Sequence, residues 1–174
     1  MQNADDLRRY IRDVPDFPKP GIIFKDITPL LRDRMAFDDT IELMSEPFRK
    51  DSVNVVAAIE SRGFIFGSCI ARELGAGFIP IRKPGKLPWT KRRNEYVLEY
   101  GKDALEIHDD AIAETDRVLI VDDLLATGGT INAAAALVRG FGATIVALAT
   151  VIELSFLEGR RKLPEVPFFS LIEY

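Results

Sequence analysis

The chain has 174 residues, 47% hydrophobic and 29% charged, with 27 Asp and Glu against 23 Lys and Arg. That profile fits one globular domain long enough to bury a core and excludes a disordered polymer. The mild acidity argues against a nucleic-acid binder, the lone Cys69 excludes an internal disulfide and points to a reducing compartment such as the cytoplasm, the lone His108 leaves no His/Cys metal site, and no apolar run reaches the ~18 residues of a membrane-spanning helix.

The polar, acidic stretch Met1 to Asp6 does not read as a signal peptide. Leu7, Tyr10, Ile11 and Val14 recur at helical spacing and predict a short amphipathic helix ended by Pro15. Asp16 to Gly21 is too rich in proline and glycine for helix or inner strand. Ile22 to Leu31 is an apolar stretch broken by Lys25, Asp26 and Pro29. Phe37, Ile41 and Met44 predict a helix from Phe37 to Lys50, with Pro47 a defect in it or its early end.

From Val53 the pattern alternates. Strands are predicted over Val53–Ile59, Phe78–Arg82, Arg117–Val121, Thr144–Ile152 and Pro167–Ile172. Helices are predicted over Gly63–Leu74, Gly128–Gly140 and Leu154–Lys162. Near-continuous apolar strands separated by helices imply an α/β fold, a mainly parallel sheet covered on both faces. Pro84 to Asn94 reads as a polar loop carrying Lys86, Lys91, Arg92 and Arg93, and Tyr96, Leu98, Tyr100, Leu105 and Ile107 alternate like a β-hairpin. His108 and Cys69 read as structural. Without repeat or linker, residues 1–174 form a single domain.

The most informative run is Val118 to Thr130. A buried strand ends in Asp122 and Asp123, and Ala126, Thr127, Gly128, Gly129 and Thr130 then open an alanine-rich helix. Carboxylates at a strand's carboxyl end can accept hydrogen bonds from vicinal ribose hydroxyls. Glycines let backbone N–H groups converge on a phosphate, aided by the helix dipole. The order fits a sugar with a terminal phosphate. No Gly-Lys-Ser/Thr follows, and no Gly-x-Gly-x-x-Gly is present, so this is neither a Walker loop nor a dinucleotide fingerprint.

At these residues the chain resembles the type I phosphoribosyltransferases. The resemblance implies that Asp122 and Asp123 hold the ribose hydroxyls of phosphoribosyl pyrophosphate and that Ala126 to Thr130 hold its 5′-phosphate. The hypoxanthine-guanine branch places an acid where this chain has Ala126, which argues against 6-oxopurine chemistry. Phe17 to Pro29 looks like the adenine-binding hood of the adenine branch, within residues 1–34, with the base against Ile23, Phe24 and Lys25. Glu60-Ser61-Arg62-Gly63 resembles the pyrophosphate loop, which implies contacts from Ser61 and Arg62 and a non-proline cis peptide at Glu60-Ser61. Arg82 to Gly101 resembles a mobile catalytic hairpin, with Arg82, Lys83 and Lys86 toward pyrophosphate and Glu99 as the acid near the transferred bond.

The activity so implied is transfer of the phosphoribosyl group to adenine, giving AMP and pyrophosphate through an oxocarbenium-like transition state. Mg²⁺ would ride mainly on substrate oxygens, with no dedicated protein metal site. A homodimer is implied, without nucleic-acid or membrane partners. A gene regulator of the same fold would need a nucleic-acid surface that this acidic chain does not advertise. An enzyme for another base, such as xanthine, conflicts with Ala126 and with the hood.

Overall fold

A computed structural model describes residues 2–98 and 101–174. Helix α1 (Ala4–Arg8) leads into an antiparallel hairpin, β1 (Arg12–Pro15) with β2 (Ile23–Asp26), followed by helices α2 (Thr28–Arg32) and α3 (Arg34–Ser45). Then come β3 (Val55–Ile59), α4 (Gly63–Leu74), β4 (Gly77–Ile81), and a second hairpin, β5 (Lys91–Leu98) with β6 (Gly101–His108). The chain ends with β7 (Arg117–Leu125), α5 (Gly129–Arg139), β8 (Thr144–Glu153) and β9 (Phe168–Glu173).

Five strands form one parallel sheet in the order β4-β3-β7-β8-β9. Parity along the strands explains the layers. Val56, Ala58, Leu119 and Val121 join a core with Phe66 and Ile70 of α4, together with α3. Val55, Ala57, Ile59, Val118 and Ile120 face the other way, onto Ile131, Ala134 and Val138 of α5 and Leu105 and Ile107 of β6. Every residue of β3 is buried, as expected of a parallel strand with both faces covered. Among the described residues no helix is long and apolar enough to cross a membrane.

Outside the cavity, the structure corrects four expectations. The N-terminal helix stops at Arg8, and Val14 belongs to β1. Leu7 and Ile11 are both buried, so a bend satisfies the apolar spacing that suggested a longer helix. The helix expected at Phe37 begins three residues earlier, because the Asp33 side chain accepts the Ala36 N–H at 2.9 Å and caps it. It gives way at Ser45 to a 3₁₀ turn containing Pro47. Lys91 to Asn94, read as loop, already pair with Leu105 to His108. Finally, Leu154 to Lys162 is no α-helix but two 3₁₀ turns, Ser155–Leu157 and Gly159–Lys162, divided by Glu158 at φ +52°.

Candidate active site

The chain leaves β3 toward β4 on one side, and leaves β7 toward β8 on the other. A crevice therefore opens beyond the carboxyl ends of β3 and β7, the place where parallel α/β sheets bind ligands. It is a cavity of about 380 Å³ lined by Glu60, Ser61, Arg62, Lys83 and the run Asp122–Ile131.

Asp122 and Asp123 lie within β7, which continues to Leu125 rather than ending at the acids. Both are buried, at 8% and 6% exposure. Asp122 accepts the Asp123 N–H at 2.9 Å. Asp123 Oδ2 lies 2.8 Å from the Arg62 guanidinium yet accepts no aligned hydrogen bond. Burial, then the charge of Asp123, pushes the Asp122 carboxyl well above the ordinary carboxylate range. Burial also raises Asp123, with Arg62 pulling the other way. Two adjacent acids so placed suit a ligand that donates hydrogen bonds. Gly63 makes the arrangement possible, since a Cβ there would sit 2.9 Å from Asp122 Oδ1.

The phosphate-type turn follows. Gly128, at φ +81°, caps α5, and its carbonyl accepts the Asn132 N–H at 3.0 Å. The turn and helix start line the cavity, and the first N–H groups of a helix have no intrahelical acceptor, which is favourable for an anion. A residue that the sequence did not flag backs this turn. A Cβ on Gly159 would overlap the Ala126 carbonyl oxygen, and one on Gly128 would overlap the Gly159 carbonyl oxygen. The two glycines stand backbone to backbone, and neither position has room for a side chain. Arg160 clamps the turn, with Nε and Nη2 each 2.6 Å from the buried Glu153 carboxylate.

The Glu60-Ser61 peptide bond is cis, as the resemblance implied. Of the residues expected to meet pyrophosphate, Ser61, Arg62 and Lys83 line the cavity, whereas Arg82 and Lys86 do not. Arg82 instead donates to Glu60 Oε2 at 3.0 Å and to the Lys86 carbonyl at 3.3 Å. Glu60 also accepts the Lys83 N–H at 2.8 Å, and buried Glu106 accepts the Gly85 N–H at 3.1 Å, so two acids hold the loop. Lys83 Nζ pairs with Asp103 and donates to the Tyr96 hydroxyl at 3.1 Å. Burial alone would lower the Lys83 pKa, but the hydrogen bonds that its ammonium donates to Asp103 and Tyr96 outweigh it and raise the value.

The hood reaches the cavity through Arg62, whose guanidinium lies 4.9 Å from the Phe24 ring centroid. Phe17 packs edge-on against Phe24 at 5.1 Å, and Ile23 is 54% exposed, leaving apolar surface beside Arg62. Lys25 points the other way, into the protein.

The basic segment of β5 is structural in part. Arg92 donates to the Gly140 carbonyl and stacks 3.8 Å from the Phe141 centroid, Asn94 donates to the Ala133 carbonyl at 3.1 Å, and the Tyr96 hydroxyl lies 3.4 Å from Thr130 Oγ1. These alternate residues share one face of β5 and dock it along α5 from its carboxyl end to its amino end. Arg93 pairs with Glu95 at 3.0 Å. Glu99 lies outside the described residues. Glu106, Asp103, Gly159 and Arg160 escaped sequence reading because long-range contacts give each its place, and no local motif carries it.

The family profile described as "Phosphoribosyl transferase domain" matches residues 28–167. The adenine phosphoribosyltransferase of Gloeobacter violaceus is 57% identical over 170 residues, covering 97% of this chain and 99% of that protein. Among solved structures, the adenine phosphoribosyltransferase of Thermoanaerobacter pseudethanolicus superposes with a TM-score of 0.96 at 50% identity, over 99% of this chain and 100% of that one. The Saccharomyces cerevisiae enzyme, complexed with adenine and an imino-altritol bisphosphate, gives 0.90 at 41% identity over 97% of each chain.

Two outcomes are expected from this geometry. Gly159→Ala displaces the Ala126–Gly128 turn and should weaken ribose 5-phosphate binding by about 10- to 100-fold, since misplacement near 1 Å costs on that order; calorimetric titration checks it, and parent-like affinity would refute the role of the backing turn. The second concerns pH. The folded-state pKa of Asp122 exceeds its unfolded value, so its contribution to stability is full below the ordinary value of 3.8 and is lost as pH rises through the raised one. Asp122→Asn should therefore melt at a higher temperature than the parent at pH 7, with the gap closing toward acid pH. Thermal melts across pH decide it, and a variant less stable at pH 7 contradicts it.

Proposed function

The chain belongs to the adenine phosphoribosyltransferase family, and from that premise we propose how its own residues perform the purine-salvage reaction that joins adenine N9 to C1 of phosphoribosyl pyrophosphate, giving AMP and pyrophosphate. The observation that carries the proposal is convergence: the acid pair of β7, the turn capping α5, the loop after β3 and, through Arg62, the Phe24 ring all meet at one crevice.

Asp122 and Asp123 accept the two ribose hydroxyls. A neutral hydroxyl donor suits the pair better than a second cation would, since Arg62 already answers Asp123. Thr127 to Thr130 receive the 5′-phosphate on backbone N–H groups and the threonine hydroxyls. Ser61, Arg62 and Lys83 face the pyrophosphate, with Arg82 and Lys86 joining as the hairpin closes. As the C1–O bond to pyrophosphate breaks and the bond to N9 forms, positive charge grows on the ribose. The neighbouring carboxylates stabilise it, acting where charge develops. Ile23, Phe24 and the main chain at Lys25 hold adenine, with apolar surface for the ring and free backbone groups for its edge. Ala126 offers no general base of the kind a 6-oxopurine enzyme employs. Glu99 donates a proton toward the adenine ring or stabilises charge there.

Mg²⁺ belongs with the substrate in this scheme. The carboxyl and hydroxyl groups lining the cavity are hard oxygen donors, of the kind that hold the waters of an ion that keeps several of them. When bound on phosphoribosyl pyrophosphate, Mg²⁺ offsets the charge of the leaving group. We further propose a cytoplasmic homodimer. The unpaired Cys69 suits a reducing compartment, and edge strand β4 with the exposed Phe78 offers apolar surface to a second copy.

A base panel tests the assignment. Purified protein with phosphoribosyl pyrophosphate and Mg²⁺ should form nucleotide from adenine and not from hypoxanthine, guanine or xanthine; turnover of a 6-oxopurine would discard the hood as the selective element. Glu99→Gln should lower kcat by ~10²-fold, the size typical of acid–base groups. Single-turnover kinetics isolate the chemical step, and an unchanged rate there rejects the role.

A further inference from the structure

The β1–β2 hairpin pairs with no strand of the central sheet. Two strands alone are marginal in water, so side chains must set where this hairpin stands over the cavity. Neighbouring residues of a strand face opposite ways. Phe24 turns toward Arg62, and Lys25 turns inward, where it is 8% exposed.

An ammonium group that deep needs partners. Asp13 Oδ1 supplies one across the hairpin, at 2.7 Å. The face of the Tyr174 ring supplies the other, 3.6 Å from Lys25 Nζ to the centroid. Arg8 of α1 lies against the same ring at 4.8 Å. Tyr174 is itself fixed to the main body. Its N–H donates to the Glu153 carbonyl at 2.9 Å, and its carbonyl accepts from the Ser155 N–H at 2.9 Å and the Ser155 hydroxyl at 2.6 Å. A chain of contacts therefore runs from the end of β8 through Tyr174 to the middle of β2. Tyr174 lines no part of the cavity between β3 and β7.

We propose that Tyr174 is a positioning residue for base recognition: its cation–π contact with Lys25 sets where β2 presents the Phe24 ring and the main chain of Ile23–Lys25 to adenine. This rests on the reading of β2 as the adenine-binding edge. The contact needs the ring face and not the phenol hydroxyl, so phenylalanine serves in its place and leucine does not. The phosphoribosyl half of the site hangs on β7 and α5, which Tyr174 does not anchor.

Steady-state kinetics with each substrate varied in turn provide the test. Tyr174→Leu should raise KM for adenine about tenfold while KM for phosphoribosyl pyrophosphate stays within about twofold of the parent. Tyr174→Phe should behave as the parent does. Lys25→Met, which loses the ring contact and the Asp13 ion pair together, should raise the adenine KM at least as far as Tyr174→Leu does, and adding Tyr174→Leu to it should raise it no further. If Tyr174→Leu does not fold, Lys25→Met and Tyr174→Phe decide the matter. An adenine KM unchanged in a folded Tyr174→Leu or Lys25→Met variant overturns the proposal, as does an equal rise in both KM values or a Phe variant as impaired as Leu. Phe24→Ala separates the two layers. If it too leaves the adenine KM unchanged, the reading of β2 falls; if it raises that KM while Tyr174→Leu does not, only the role of Tyr174 falls.

Discussion

Two carboxylates side by side on a buried strand are what the rest of this molecule is arranged around. Asp122 and Asp123 sit in β7 beyond four fully buried apolar residues, Val118 to Val121. Burial works against both charges, and the charge of Asp123 also works against that of Asp122. The surroundings relieve this only in part. Arg62 answers Asp123, one backbone N–H answers Asp122, and Asp123 Oδ2 keeps no aligned donor. The start of α4 must come close to deliver Arg62, and Gly63 is the residue that permits the approach.

Close backbone approach is a second theme, and it links distant parts of the chain. The turn that caps α5 rests on Gly159, more than thirty positions further on, and Arg160 with Glu153 holds that support in place. The loop after β4 is held similarly, by Glu60 from the end of β3 and Glu106 from β6. The turn and the loop after β4 are thus each backed by a partner from another element.

What the sequence revealed followed from locality. The strands of the central sheet were legible because parallel strands buried on both faces carry unbroken apolar runs, and α4 was legible from its glycine-bounded apolar period. The acids of β7 and the turn after them share one short segment, so their chemistry could be read without knowing the fold. The pairing of Val14 with Phe24 could not, because the periodicity of Leu7 and Ile11 favoured more helix until β2 claimed the strand. Nor could the turns at Leu154 to Lys162, where the demand for a glycine against Ala126 comes from 33 positions away. Arg92 looked like one charge in a basic run, and only the carboxyl end of α5 shows what it holds.

The docking of β5 on α5 makes the helix a ruler for the hairpin. From Arg92 to Tyr96 a strand advances about 14 Å, and from Gly140 back to Thr130 a helix advances about 15 Å, so the two spans match. The match ties the length of one element to that of the other. Loss of one residue between Arg92 and Tyr96 would turn Arg92 or Tyr96 away from the helix, because strand faces alternate. Gain of two would restore the face but overshoot the helix start by more than one turn. The hairpin can therefore change length beyond its docked stretch far more readily than within it, and α5 cannot be shortened or extended without moving the point at which the hairpin meets Thr130 at the helix start.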